Sequence, residues 1–202
     1  MRAVESLAFV AWAIPFFILL EAIFPRERQP IRWRAIVLAC GMLAFNTIVI
    51  RELISAPRVT TDSTLRILAA WLVAEVFAYW LHRAMHRFPL LWRFHKLHHA
   101  PVPLAWHQSW WIHPLDIAMF VATGAFAVWL VGAPLTAAPW FLAIRKAYGI
   151  LLHANVRWPK SWLDHVIVTP VVHHRHHQED KRPANFAGQL AILDRVFASW
   201  SR

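Results

Sequence analysis

Long apolar stretches separated by short polar segments dominate the chain, and each stretch is close to the length of a bilayer-crossing helix. A helix needs about 20 mostly apolar residues to cross the hydrocarbon core of a membrane. The chain has five such stretches, at residues 7–24, 35–50, 65–81, 115–131 and 135–152. The second is short and the fifth contains Arg145 and Lys146, so the pattern predicts four or five transmembrane helices.

The composition agrees with a membrane protein. Hydrophobic residues make up 58% of the chain and charged residues only 16%, whereas soluble domains carry more charge. The first stretch contains Pro15 and Glu21 and lacks the small-residue cleavage site of a signal peptide, so we expect it to be a span. We expect a single membrane-embedded domain over residues 1–202, in which residues 1–64 supply the N-terminal spans and residues 65–200 contain the histidine-rich segments.

The net charge of +10 is distributed unevenly between the two sides of the predicted spans. Fifteen Lys and Arg fall on one side and four on the other, when Arg145 and Lys146 inside the fifth stretch are left out. Basic loops mark the cytoplasmic side, so the amino terminus is expected outside. The same charge on a soluble domain would suggest nucleic-acid binding, but this chain offers no water-soluble basic face and no such partner is expected.

Histidine is the most informative polar residue in the chain. Three- and four-residue spacings place side chains on one face of a helix, and imidazole is the commonest transition-metal ligand. Nine of the 13 histidines fit this reading by their spacing or by their place after an apolar stretch. They are His82, His86, His95, His98, His99, His153, His173, His176 and His177.

The number of spans places these histidines on one side of the membrane. Two predicted spans separate the segment at 82–113 from the segment at 153–177, so both emerge on the basic, cytoplasmic face. The predicted fold is therefore all-α, an integral membrane helical bundle of 4–5 transmembrane helices with a cytoplasmic histidine-rich helical cap. Gly132 to Pro134 are expected to form the turn of the hairpin between the two segments.

Nine nitrogen ligands are too many for one ion and suit two ions with positions left open. Ligand type alone does not separate iron from zinc, but an open dimetal site beside lipid favours iron and oxygen chemistry. A structural zinc protein would close each site with about four ligands, often including Cys. A metal-transport protein without oxygenase activity remains the alternative, although Glu75 is nearly the only ionisable candidate inside a span.

Several motifs resemble those of the fatty acid hydroxylase/sterol desaturase superfamily, in order and in their flanking residues. The resemblance covers about residues 65 to 200 and includes more than the three histidine boxes. The matching segments are HRAMH at 82–86, WRFHKLHH at 92–99, HP at 113–114, HAN at 153–155, TP at 169–170, HHRHH at 173–177, NFAG at 185–188 and LDRVF at 193–197. Two departures are Asp116, where Glu is usual, and Ala100, where Ser is frequent.

The resemblance implies a membrane-bound non-haem di-iron oxidoreductase. Such an enzyme uses O2 and electrons to hydroxylate or desaturate a hydrophobic substrate, such as a fatty acyl, sterol, terpenoid or carotenoid chain. The resemblance also implies two iron ions, with zinc as a possible substitute. It further implies an electron donor, either a ferredoxin or a b-type cytochrome with its reductase. The expected location is a bacterial inner membrane, as a multi-pass protein whose histidine site faces the cytoplasm.

Other polar residues are expected to orient the ligands or to stabilise the fold rather than to bind metal, since carboxylates and amides commonly hold metal-bound imidazoles in place. His174 falls off the helical register of its neighbours, and His107 and His165 are expected at the membrane interface. The candidates for a supporting role are Asn155, Asn185, Asp194, His113 and His174.

Overall fold

Eight α-helices form most of the chain that the structure, a computed structural model, describes: residues 3–53, 64–100, 103–133, 138–178 and 183–201. The helices are α1 (Ala3–Ile23), α2 (Trp33–Leu53), α3 (Thr64–Arg87), α4 (Pro89–His99), α5 (Pro114–Val131), α6 (Ala138–His153), α7 (Pro170–Gln178) and α8 (Ile192–Val196). Two short 3₁₀ helices lie at Trp106–Trp110 and Trp162–His165. Within these ranges no strand forms, so the all-α prediction is confirmed.

The helices follow the five apolar stretches, but they differ in how well they suit a membrane. Helices α3 and α5 are long and apolar enough to cross a bilayer, whereas α1 and α2 contain shorter apolar parts, Ala11–Ile23 and Trp33–Ile48. Large apolar side chains face outward, including Leu65 at 79% exposure and Trp129 at 69%. An apolar surface of this kind requires lipid or another apolar partner.

Pro89 determines how α4 folds back against α3. The residue before a proline is forced out of the helical region, and Phe88 accordingly has an extended backbone with φ −105° and ψ 121°. Pro89 then suits the first turn of α4, where a backbone N–H would lack a helical acceptor in any case. The turn brings the histidines of α4 beside the last two turns of α3.

Helix α5 has clear sequence signals at both ends. His113 caps its start, because its Nδ1 accepts a hydrogen bond from the Leu115 amide at 3.1 Å, and Pro114 occupies the first turn. Gly132 ends the helix with φ +64°, a left-handed conformation that favours glycine. The predicted turn at Gly132 is confirmed, while Pro134 lies outside the described residues.

Two buried clusters surround the histidines. One places Phe17 of α1 and Ile36 of α2 against Trp106 of the first 3₁₀ helix and Ile150 of α6. The other joins Tyr79 of α3 to Val172 of α7 and to the carboxy-terminal loop around Phe186 and Ala187. Helix α3 also packs along α5. The histidine-bearing ends of α3, α4, α6 and α7 are thereby held in one interior.

Candidate metal centre

Five histidines from three helices form the first of two groups. Each turns one ring nitrogen inward, and these atoms all lie within 4.8 Å of one another. The Nε2 atom of His95 lies 3.0 Å from His82 Nε2 and 3.2 Å from His99 Nε2. The members are His82 and His86 of α3, His95 and His99 of α4, and His176 of α7.

Four further histidines form the second group, again within 4.8 Å of one another. Its members are His98 of α4, His153 at the end of α6, and His173 and His177 of α7. The Nε2 atom of His153 lies 3.2 Å from those of both His98 and His173. The structure therefore brings together all nine histidines selected from the sequence.

Helices α4 and α7 each contribute to both groups. In α4, His95 and His99 belong to the five-histidine group and His98 to the four-histidine group. In α7 the assignment is reversed, because His173 and His177 belong to the second group and His176 to the first. The imidazoles of His99 and His177, one from each group, stack with ring centroids 4.3 Å apart.

Backbone carbonyls hold several of the rings from behind. His82 Nδ1 lies 2.7 Å from Phe186 O, His176 Nδ1 2.7 Å from Ala184 O, and His153 Nδ1 2.7 Å from Gly149 O. A carbonyl oxygen only accepts, so in each case Nδ1 carries the hydrogen. The opposite nitrogen, Nε2, is left with a free lone pair directed into the group.

Asp116 holds His95 in the same way. Its Oδ2 lies 2.8 Å from His95 Nδ1, and the side chain is only 1% exposed. A buried carboxylate behind an imidazole fixes the ring and increases its basicity as a ligand. The sequence showed Asp116 only as a departure from a family motif, although an acidic residue in the first turn of an otherwise apolar helix was an available signal.

Several histidines of α4 and α7 have lowered pKa values, which keep their imidazoles neutral. Burial, and then the neighbouring His95 and His98, lower the pKa of His176 to about 3. Burial and His95 lower the pKa of His98 to about 4. Burial also lowers the pKa of His173 and of His177 well below the ordinary value. A neutral imidazole is the form that binds a metal ion.

The buried nitrogens fit a bound cation. Among the described residues, His86 Nε2 and His176 Nε2 are buried without a hydrogen-bond partner. An orphaned buried acceptor is costly, so nearly all such atoms in folded proteins have a partner. A metal ion within the five-histidine group would satisfy both.

Asn185 and Asp194 shape the loop that supplies two of the carbonyls. Asp194 is fully buried and accepts hydrogen bonds from the amides of Phe186 and Ala187 at 2.7 and 3.0 Å. Asn185 has a left-handed backbone with φ +59°, and its Oδ1 accepts from the amide of Ser201 at 3.0 Å. Both residues act on the histidines through the backbone of the loop.

Asn155, His113 and His174 do not belong to either group. Asn155 binds the backbone of Glu27 through both ends of its amide, at 3.1 and 2.7 Å, and so anchors the segment after α1. His113 caps α5 and packs on Phe94. His174 is 4% exposed, and burial followed by the Arg26 charge lowers its pKa to about 4.

His107 is buried in the protein, and its expected place at the membrane interface stays a prediction. It is 3% exposed, because the 3₁₀ helix that carries it packs beneath α2 and α6. His165 is exposed, as expected for a residue outside the centre.

A largely apolar cavity of about 180 Å³ borders both groups. Its lining includes histidines of both groups. His82 and His95 belong to the five-histidine group, and His98, His153 and His173 to the four-histidine group. The remaining wall includes Ala78, Ile117, Phe120, Gly149 and Leu152. An apolar chain in this cavity would therefore lie directly beside the inward-facing nitrogens.

The chain is similar to known proteins. The fatty acid hydroxylase family model matches residues 67–199. Ornithine lipid hydroxylase OlsE of Rhizobium tropici is 32% identical over 130 residues, which are 63% of this chain and 39% of that protein. Alkylglycerol monooxygenase of Xenopus tropicalis is 25% identical over 134 residues, 60% of this chain and 27% of that protein.

The chain spans less than half the length of either relative. No solved structure matches it. The family match nevertheless covers well over half of the 202 residues and contains all nine clustered histidines, as the resemblance of the motifs predicted. The chain belongs to the fatty acid hydroxylase family.

Proposed function

We propose that the chain is a membrane-bound di-iron oxygenase that hydroxylates or desaturates a lipid-like substrate. The observation that carries this proposal is the pair of inward-facing histidine groups, five and four in number, beside one apolar cavity. The two relatives are named for lipid substrates, an ornithine lipid and an alkylglycerol, which supports a lipid here.

The donor set favours iron over a structural zinc. Five ligands exceed the four of a closed tetrahedral zinc site. Nitrogens about 2.1 Å from an ion lie about 3.0 Å apart at right angles and about 3.4 Å apart in a tetrahedron. The separation of 3.0 Å between His82 Nε2 and His95 Nε2 matches the right-angled arrangement of a five- or six-coordinate ion, and the separations of 3.2 Å lie midway between the two arrangements.

The proposed roles of the residues follow from their positions. The nine histidines hold two iron ions, one in each group, and Asp116 and the carbonyls behind the rings keep the ligands in place. Bound iron supplies O2 activation, with two electrons and two protons from outside, so that one oxygen atom enters a C–H bond and the other leaves as water. The cavity walls hold the lipid chain beside the histidines and exclude water.

We also propose a multi-pass topology with the histidine groups on the cytoplasmic face of a bacterial inner membrane. It is supported by the excess of basic residues in the segments that follow α1, α3 and α6. An electron donor with an acidic surface, a ferredoxin or a b-type cytochrome, would reach the centre from that side.

Metal transport is less well supported. Glu75, the acidic residue within α3, pairs with Arg145 of α6 and accepts a hydrogen bond from the Gln189 amide at 3.1 Å. A carboxylate engaged in this way is not available to a migrating ion. The nine histidines also cluster at the ends of helices rather than along a path through them.

The test compares lipid extracts from cells that express the chain or its His98→Ala variant, together with the iron content of the purified proteins. We expect about two irons per chain and a lipid product that has gained one oxygen or lost two hydrogens. His98→Ala should abolish the product, while the exposed His165→Ala serves as a matched control that retains it. Oxidised lipid at equal levels in the wild type and His98→Ala would refute the proposal.

A further inference from the structure

Helix α6 carries two adjacent basic residues, Arg145 and Lys146, in an otherwise apolar sequence. Charged side chains within a span are costly and normally have a partner or a function. Arg145 has its partner in the buried Glu75 carboxylate. Lys146 forms no ion pair with any residue that the structure describes, so its charge is left without a counterpart there.

Lys146 lines the apolar cavity on the same side of α6 as His153. Gly149 lies between them, so the three residues follow one another at i, i+3 and i+7 along one helical stripe. A Cβ atom placed on Gly149 would meet nothing within 4 Å, which shows that the stripe borders open space. The cavity thus has a cation towards one end and the four-histidine group towards the other.

We propose that Lys146 binds an anionic head group, a carboxylate or a phosphate ester, at one end of the lipid substrate. The inference rests on the proposed oxygenase function and narrows it to lipids with a negatively charged head. Seven residues of helix separate Lys146 from His153, a rise of about 10 Å. The oxidised carbon is therefore expected at a fixed distance, about 10 Å along the chain, from the charged end.

An anion is favoured because of the surroundings of the lysine. Charges attract more strongly where water is excluded, and Leu152, Ile117 and Phe120 make the neighbouring wall apolar. A neutral ester head would leave the ammonium group without a partner. The simplest competing explanation is that the long lysine side chain extends to the membrane interface and has no ligand.

The test measures binding of three probes to the iron-loaded full chain in neutral detergent: palmitate, hexadecyl phosphate and methyl palmitate. We expect at least one of the two anions to bind roughly 10- to 100-fold more tightly than the ester, the range for a hydrogen bond to a charged group. The tighter anion identifies the head group. Lys146→Met, similar in length and uncharged, should remove the preference, and the exposed Lys160→Met should retain it.

Equal binding of all three probes to the wild type would overturn the proposal, as would an unchanged preference in Lys146→Met. Gly149→Leu provides a second measurement, because its side chain would fill the stripe while the Gly149 carbonyl behind His153 remains. We expect it to lose palmitate or hexadecyl phosphate binding and to keep its iron. Unchanged binding would contradict the assigned position of the chain.

The two proposals fail separately. Probe binding does not require turnover. If the chain prefers the anionic probes through Lys146 but forms no oxidised lipid, the oxygenase proposal is refuted and the anion-binding proposal is retained. Conversely, fragmentation mass spectrometry of an oxidised product locates the new oxygen or double bond. An oxidised position that Lys146→Met leaves unchanged would refute the head-group assignment and leave the oxygenase.

Discussion

His95 Nδ1 lies 2.8 Å from Asp116 Oδ2, and this hydrogen bond joins α4 to the first turn of α5 behind the five-histidine group. The carboxylate is almost completely buried, and no described residue hydrogen-bonds to its other oxygen, Oδ1. Asp116 thus takes part in the site through His95, without belonging to either histidine group.

Replacing this carboxylate should weaken metal binding. We expect Asp116→Asn to lower iron affinity by about 10- to 100-fold, the usual effect of removing an outer partner of a metal-bound imidazole. Titration of the metal-free protein with ferrous iron measures the change. Asp116→Glu restores the carboxylate and should recover much of the affinity, whereas equal affinities in all three proteins would contradict the role of Asp116.

The two groups should hold their ions separately enough to be emptied one at a time. His173→Ala with His177→Ala removes half of the four-histidine group and leaves all five ligands of the other group. We expect iron per chain to fall from about two to about one. The double variant His82→Ala with His86→Ala should also retain about one iron per chain. A wild-type protein that binds only one iron would disprove the two-ion assignment.

Filling the cavity should block the substrate without removing the metal. Ala78 is buried on α3 and lines the cavity, so Ala78→Phe places a ring where the lipid chain is proposed to lie. We expect activity to fall roughly 100-fold, as for a misplaced substrate, with the iron content unchanged. Leu72→Phe, on an exposed position of the same helix, is the control and should retain activity.

The buried ion pair between α3 and α6 should be important for stability. Glu75→Gln leaves Arg145 without its counter-charge, and breaking a buried pair costs about 3–5 kcal/mol. Replacing both residues with Met should restore much of that loss. Unfolding in detergent of Glu75→Met, Arg145→Met and the double variant measures the coupling, and additive effects would show that the pair contributes little.

Stability of the metal-free protein should fall as the pH is lowered. Burial lowers the pKa of His174 from 6.5 to about 4, and it lowers the pKa of His98 to the same value. Between these values the unfolded chain binds more protons than the folded one, so stability is complete above pH 6.5 and is lost towards pH 4. Melting temperatures across this range measure the slope, which His174→Gln should reduce; an unchanged slope would show that His174 does not contribute.

The sequence predicted the histidine set well because helical spacing is a local property. The pairs His82 and His86, and His95 and His99, are four residues apart and each share a face, so they belong together in any helical fold. The long apolar helices followed from composition in the same way. The convergence of His153 on the centre was also predicted, since two predicted spans between the histidine segments place the end of the fifth apolar stretch on the same side as α4.

The division into two groups depends on packing that spacing does not encode. His98 and His176 each belong to a different group from the other metal-ligand candidates on their own helix. The positions of α3, α6 and α7 determine this assignment. The carbonyls of Ala184 and Phe186 come from an irregular loop, and the NFAG motif at 185–188 marked this loop without showing that its backbone holds His82 and His176. The burial of His107 was not predicted, because it results from the packing of its 3₁₀ helix against α2 and α6, which the local sequence does not show.

The shared use of α4 and α7 has a consequence for how such a centre changes over time. Deleting one residue within either helix rotates the following ligands by about 100° and would damage both ion sites at once. A substitution of one histidine can alter a single site, but a change in the length of either helix alters both. Insertions and deletions within α4 and α7 should therefore be absent among descendants of this chain, and variation should concentrate in the cavity wall and the outward-facing surface.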